Sequence, residues 1–272
     1  GILARRGRRL LLQIHDFAED GRPALFRALR EALGEGGGPE LGRRLYPQGA
    51  NVHYAAINRR DLLLLEKAGV APARLHFLPD PVAVPRDVPP PAGGEGRLFL
   101  YPTRAIRRKN LGEFLLWAAR GRPGDRFAVT LAPRTSAERP FYERWVAFAR
   151  REKLPVEFEA GTRGGRSLSA LFAVSAAAVT TSVAEGFGLA FLEPYVAGRP
   201  LVGRKIAEIT EEIEAAGIAL SPLSEHLPVP LEAGERRRLR EKIAEGVARW
   251  RDAYGRRPRR RDVELALEAA GG

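Results

Sequence analysis

The side chains of this chain best placed to do chemistry together lie where an apolar run ends at Thr180 and Thr181 and a carboxylate, Glu185, is followed at once by Gly186, Phe187, Gly188 and Leu189. A second carboxylate, Glu193, comes eight positions after the first. Glycines let a backbone approach a ligand closely, and free N–H groups at a helix start can hold phosphate oxygens or sugar hydroxyls. The pattern predicts a strand-to-helix turn with Glu185 and Glu193 facing one cleft from different depths. Pro194 would disturb an established helix, so the regular helix is expected to begin near Phe191 or to kink there. Two further polar clusters follow apolar runs in the same way: residues 104–110, which carry Arg104, Arg107, Arg108 and Lys109, and the pair His15 and Asp16.

Such loops need strands to hold them. Residues 10–14 form a compact apolar run of the kind seen in strands buried on both faces, residues 23–33 have helical spacing, and residues 34–38 break the chain with glycine. Residues 51–57 and 75–78 read as strands flanking a helix at 58–69. Beyond a Pro- and Gly-rich stretch at 79–96 the alternation restarts, with strands at 98–101, 127–131, 156–158, 177–181 and 201–202. Helices are expected between them at 111–119, 141–151, 168–175 and 190–197. This order gives right-handed crossovers and a mostly parallel sheet, an α/β Rossmann-like domain whose ligands sit at the carboxyl ends of strands. The expected division is 1–90, 91–233 and a charged helical segment at 234–272.

Composition removes several other chemistries. There are no cysteines, so disulfides, thiolate metal sites and thiol nucleophiles are excluded, and the four histidines lack ligand spacing. The net charge is +12, with only five lysines among 45 basic residues, and no single stretch owns the excess, although residues 256–261 are a local basic cluster. The opening apolar run is too short for a signal peptide, and residues 167–184 hold too many hydroxyls for a membrane span. Gly34 to Gly38 fails as a dinucleotide fingerprint, and at Gly198 to Gly203 the pair Arg204 and Lys205 replaces the P-loop lysine and hydroxyl. Trp117, Trp145 and Phe148 read as core.

With these residues in view, the chain resembles the retaining GT-B glycosyltransferases of the family 4 group, whose signature is Glu-x7-Glu, usually opening Glu-Gly-Phe-Gly. Glu185, Gly186, Phe187, Gly188 and Glu193 match it, and residues 197–202 resemble the segment that follows. Arg104 and Lys109 look like the family's basic pair, and His15 with Asp16 is a weaker third match. The resemblance covers nearly the whole chain. It implies two Rossmann-like domains with parallel sheets, the N-terminal one incomplete here because only about 80 to 90 residues precede the linker, short of an ordinary domain. It also implies transfer of a hexosyl group from a UDP-, GDP- or ADP-sugar to a hydroxyl acceptor, with retention and without a metal or other cofactor. A lipid-linked acceptor, a cytoplasmic location and peripheral contact with the membrane's inner face belong to the same expectation, and no nucleic acid is expected.

On this resemblance Arg104 and Lys109 bind the donor diphosphate, which fits cations facing a leaving group on which negative charge grows. Glu185 would contact the transferred sugar or stabilise positive character near its anomeric carbon, Glu193 would hydrogen-bond the ribose, and His15 would reach the sugar from the first domain. Gly186, Phe187, Gly188 and Leu189 would line the donor. A lone histidine after a strand reads equally as a polar residue satisfied by local backbone. Arg107 and Arg108 read as solvated charges. The sequence departs from the family at Asp80, where asparagine is usual, a position near the hinge. Two alternatives remain: a GT-B-fold binding protein without turnover, which a short first domain would favour, and a basic binder of nucleic acid or membrane surfaces through residues 256–261.

Overall fold

A computed structural model describes residues 6–33, 39–83, 96–163, 165–220 and 223–269. The glycine break at 34–38 and most of the Pro-rich connection lie outside the described residues. The chain divides into two compact units: the described residues up to Pro79 together with those from His226 onward, and a second unit within Asp80–Glu225. The charged C-terminal helices, set apart in the sequence as a segment of their own, thus belong by contact to the first unit.

The second unit is a six-stranded sheet in which every pairing is parallel. Its strands are β4 (Leu98–Arg104), β5 (Arg126–Leu131), β6 (Val156–Phe158), β7 (Ala177–Thr180), β8 (Leu201–Arg204) and β9 (Leu223–Ser224), in the order β6-β5-β4-β7-β8-β9. The chain builds outward from β4 to β6, returns to the other side of β4 with β7, and then builds outward again. The carboxyl ends of β4 and β7 therefore flank a reversal of strand order, the place where open parallel sheets leave a crevice for ligands. Helices α4 (Leu111–Ala119), α5 (Arg139–Arg151), α6 (Leu168–Val174), α7 (Leu189–Val196) and α8 (Ala207–Ala215) connect the strands. Two apolar clusters form the core, one around Leu100, Phe172, Phe191 and Ile209, the other around Tyr101, Phe114, Phe127 and Tyr142. Trp117, Trp145 and Phe148 pack, partly buried, against the second.

Close approach of two strands fixes one glycine. Gly203 in β8 has φ +119°, and a Cβ there would lie 2.0 Å from the Thr180 carbonyl oxygen, which is backbone and cannot turn aside. Parallel pairing of β7 with β8 at Thr180 depends on that missing side chain.

The first unit holds a three-stranded parallel sheet, β1 (Leu10–Ile14), β2 (Val52–Ala56) and β3 (Leu75–Phe77), in that order. Helices α1 (Pro23–Leu33), α2 (Pro39–Leu45) and α3 (Arg59–Lys67) belong to it, as do α9 (Ala233–Ala253) and α10 (Arg260–Ala269). Asn58 caps α3 by accepting from the Asp61 N–H at 2.8 Å. Phe17, Tyr46, Tyr54, Leu65 and Val70 form the core. The end of α9 is anchored by Tyr254, fully buried against Phe26 at 5.5 Å between ring centroids, and by Arg27 donating to the Ala253 carbonyl at 2.9 Å. No helix of the described residues is long and apolar enough to cross a membrane.

Three expectations are corrected. β1 is not buried on both faces: Leu11 is 56% exposed and Leu12 37%, because β1 is an edge strand of a small sheet among the described residues. β4 runs to Arg104 and not to Tyr101, since it continues past a register irregularity and pairs Arg104 with Leu131. Helix α7 begins at Leu189, two residues before Phe191, with Pro194 inside it. The reason is the turn before it: Gly188 takes a left-handed conformation, and its carbonyl accepts from the Phe191 N–H at 2.8 Å, closing the first turn early.

Candidate active site

Two loops build the site, one after β4 and one after β7, on the strands that flank the reversal. They are stitched together by hydrogen bonds between their backbones and buried hydroxyls. Val183 N–H donates to the Arg108 carbonyl at 2.9 Å. The Lys109 carbonyl accepts from Thr181 Oγ1 at 2.9 Å and from Tyr101 Oη at 3.0 Å. Tyr101 Oη also shares a 2.8 Å hydrogen bond with Ser182 Oγ. Tyr101, Thr181 and Ser182 are all fully buried, so this network is shielded from water and fixes the backbone carrying Lys109 relative to the loop carrying Glu185. Asn110, at φ 48°, turns the chain sharply into α4.

Within that frame the Lys109 ammonium donates to Glu185 Oε1 in a short, buried ion pair. Arg108 Nη1 reaches the other oxygen, Oε2, at 2.8 Å and also donates to the Ala184 carbonyl at 2.8 Å. Burial raises the proton affinity of the Glu185 carboxyl, but Lys109, Ser182 and Arg108 together outweigh it and hold the group below the usual carboxylate range. Lys109 is pulled below the ordinary lysine value by burial, against the opposing field of Glu185. Arg108, read from the sequence as a solvated charge, is therefore part of the site. Its role was hidden because it depends on which two loops meet, and nothing in its local sequence separates it from Arg107. Arg107 itself is exposed, lies over the Phe141 ring at 5.4 Å, and its backbone N–H donates to Glu138 at 3.0 Å.

Glu193 sits on α7, half-buried, with no hydrogen-bond partner among the described residues, and burial pushes its carboxyl above the usual value while Lys109 opposes the shift. A carboxylate in that condition favours ligand hydroxyls that can donate to it. Gly186 and Phe187 are half-buried, Phe187 packing against the first core cluster, and Leu189 is exposed at the start of α7. Arg104 closes β4, with Nη1 donating to the Ala132 carbonyl at 2.8 Å. The structure thus brings Arg104, Lys109, Glu185, Gly186, Phe187, Gly188, Leu189 and Glu193 to the carboxyl ends of strands in one unit. His15, exposed beyond the end of β1, belongs to the other unit. Among the described residues no three His, Asp or Glu side chains cluster as metal ligands.

Gly188 is required twice over. Its φ of +91° is one that L side chains rarely adopt, and a Cβ would meet Ile209 Cγ2 at 2.5 Å and Phe191 Cδ2 at 3.1 Å. Gly188→Ala is expected to destabilise the second unit by about 2–4 kcal/mol, combining left-handed strain with overpacking, seen as a lowered denaturant midpoint. A midpoint equal to that of the wild type would show that the loop has room that this geometry denies it.

The fold is α/β with parallel sheets and matches the architecture of GT-B glycosyltransferases. Among solved structures it is similar to Anabaena HepE in complex with UDP and glucose, at 15% identity, covering 99% of this chain and 67% of that one with a TM-score of 0.56. It is likewise similar to WaaG, a glycosyltransferase involved in lipopolysaccharide biosynthesis, at 16% identity, 96% and 70% coverage and a TM-score of 0.56. Among curated proteins it is similar to the mannosylglucosyl-3-phosphoglycerate synthase of Petrotoga mobilis, 26% identical over 223 residues, which are 74% of this chain. The match spans 42% of that relative's length. No protein-family model matches the chain.

Proposed function

We propose that this chain is the donor-binding part of a glycosyltransferase that moves a hexosyl group from a nucleoside diphosphate sugar to a hydroxyl, with retention and without a metal ion. The observation that carries this reading is the buried contact of Lys109 with Glu185 at the strand-order reversal, with Glu193 close enough for its charge to act on Lys109. A nucleoside diphosphate sugar is the ligand that uses these groups together: its phosphate oxygens suit Lys109 and Arg104, its ribose hydroxyls suit Glu193, and its sugar then falls to Glu185. The structural relative solved with UDP and glucose, and the curated relative named as a synthase of a glycosylated phosphoglycerate, support a sugar-transferring class.

In the proposed reaction the bond from the anomeric carbon to the diphosphate oxygen breaks and a bond to the acceptor oxygen forms on the same face. The acceptor proton passes to the departing phosphate, and the developing negative charge falls on Lys109 and Arg104, which supply what a divalent ion would otherwise provide. His15 is proposed as a contributor to the transfer step from the first unit. The proposal includes a lipid-linked acceptor, a cytoplasmic location and contact with a membrane surface.

The test is a proton NMR time course of the protein with UDP-, GDP- and ADP-glucose in EDTA, following the anomer first released to water. Release of the α-anomer from an α-linked donor, undiminished by EDTA, is the expected outcome. First release of the β-anomer, or turnover only after a divalent metal is restored, contradicts the reading.

A further inference from the structure

Arg204 ends β8, and the donor site as described makes no use of it. Its guanidinium grips Glu113 in the first turn of α4, Nε donating to Oε2 at 3.0 Å and Nη2 to the same oxygen at 2.5 Å. Nη1 donates to the Glu225 carbonyl at 2.9 Å, so all three nitrogens are engaged. Glu113 Oε2 accepts a further hydrogen bond, from Asn110 Nδ2 at 2.9 Å. The Glu113 side chain is only 9% exposed, so water screens the ion pair weakly. Asn110 follows Lys109 directly and is left-handed at φ 48°. It holds the cap position of α4, yet its side chain bonds no backbone group there and is committed to Glu113. A residue other than glycine persists in that conformation only where its surroundings over-determine it. Thr181 Oγ1 meets the Asn110 carbonyl at 3.1 Å, while Glu113, oriented by Arg204, holds the Asn110 amide. Hydrogen bonds thus run without a gap from Arg204 through Glu113 to Asn110, beside Lys109.

We propose that Arg204 is a positioning residue: acting through Glu113 and Asn110, it fixes the turn from which Lys109 reaches Glu185 and its ligand. Arg204 is already committed to Glu113 and Glu225, so its effect on a diphosphate is exerted through Lys109. What the turn binds rests on the function proposed above; that Arg204 holds the turn does not. Arginine suits the task because its rigid planar fork reaches Glu113 and Glu225 at once, whereas lysine is a point charge on a flexible stem.

The experiment pairs NMR-detected amide exchange with calorimetric titration by UDP and inorganic pyrophosphate, both on the whole chain. The variants are Arg204→Met, Arg204→Lys, Glu113→Gln and the double variant of Arg204→Met with Glu113→Gln. Arg97→Met is the control, because it breaks another forked arginine pair of the same unit, with Asp125, at the amino end of β4. In Arg204→Met the Lys109 and Asn110 amides, which donate to the Ile106 and Arg107 carbonyls, are expected to exchange about tenfold faster and UDP to bind about tenfold more weakly, the loss of one charge-assisted contact. The fully buried Val129 of β5 keeps its amide exchange rate, and Arg204→Lys falls between. The double variant binds no more weakly than Arg204→Met, since both changes cut the same path. The proposal is overturned by unchanged exchange at Lys109 and Asn110, by exchange at Val129 rising in step with theirs, or by UDP affinity in Arg204→Met equal to that of a wild type that binds it. A matching loss in Arg97→Met, or additive losses in the double variant, overturns it too. Failure of the donor reading looks different: the wild type then binds UDP no better than pyrophosphate, while exchange at Lys109 and Asn110 still follows Arg204.

Discussion

Lys109→Ala is expected to weaken nucleoside diphosphate binding by about a hundredfold and to destabilise the second unit by about 3 kcal/mol, because one side chain serves both ends. Its ammonium is the cation nearest Glu185 and lies deep enough that water does not replace it. Removing it leaves a buried carboxylate with Arg108 on Oε2 and Ser182 as its remaining partners, and breaking a buried pair on one side is costlier than never having built it. The two effects separate in a double variant. Glu185→Gln placed on Lys109→Ala relieves the stranded charge, so stability should return by most of the lost amount while diphosphate affinity stays low. Denaturant midpoints and titrations on all four proteins close the cycle. Recovery of affinity along with stability would mean that Lys109 acts on the ligand only by holding the fold.

Glu185→Gln alone gives the second large effect. Transfer should fall by about 10²–10³-fold, the usual consequence of losing a charge aimed at the reacting centre, while diphosphate affinity at neutral pH stays within about threefold of wild type. The pH dependence carries the sharper test. Lys109 is already below the ordinary lysine value through burial, with Glu185 and Glu193 opposing and Arg108 adding to the shift. Without the Glu185 charge the opposition shrinks and Lys109 gives up its proton at lower pH. In the proposed site a diphosphate needs the ammonium, so its binding should be present below that pKa and lost as pH rises through it. The decline should therefore begin at lower pH in Glu185→Gln than in wild type. In wild-type protein Glu185 has the opposite linkage: a carboxyl held below its unfolded value contributes stability that is complete above the unfolded pKa and lost as pH falls through the folded one. Superimposable pH profiles of affinity for the two proteins would contradict the coupling drawn between these side chains.

Much of this was legible in the sequence because short apolar runs alternating with helical spacing have one common solution, a parallel sheet with crossovers. The strands at residues 98–101, 127–131, 156–158 and 177–181 each coincide with an observed strand to within a few residues. Glu185 and Glu193 were legible as well, since two carboxylates bracketing a glycine turn after a buried strand are conspicuous without any fold. What stayed hidden depends on contacts between distant segments. Arg108 looks like Arg107 until β4 and β7 become neighbours and Val183 bonds its carbonyl. Tyr101 and Ser182 look like ordinary core and loop residues, yet their shared hydrogen bond joins two loops 81 residues apart. Helix α8 was missed although Ile209 and Ile213 are spaced for it, because four glutamates among its nine residues mask the apolar stripe. The exposure of β1 could not be read either: a run of leucines signals a strand, and whether anything covers it is decided elsewhere.

The most direct test of the proposed donor site is calorimetric titration of this chain with UDP, GDP and ADP in EDTA, beside Glu193→Ala. One nucleoside diphosphate should bind in preference to the other two and should weaken in the variant by about tenfold, because Glu193 loses the hydroxyls it is positioned to accept from. Equal affinity of Glu193→Ala and wild type for every nucleotide, or no binding by a chain shown to be folded, would contradict the assignment of this site to a nucleotide sugar.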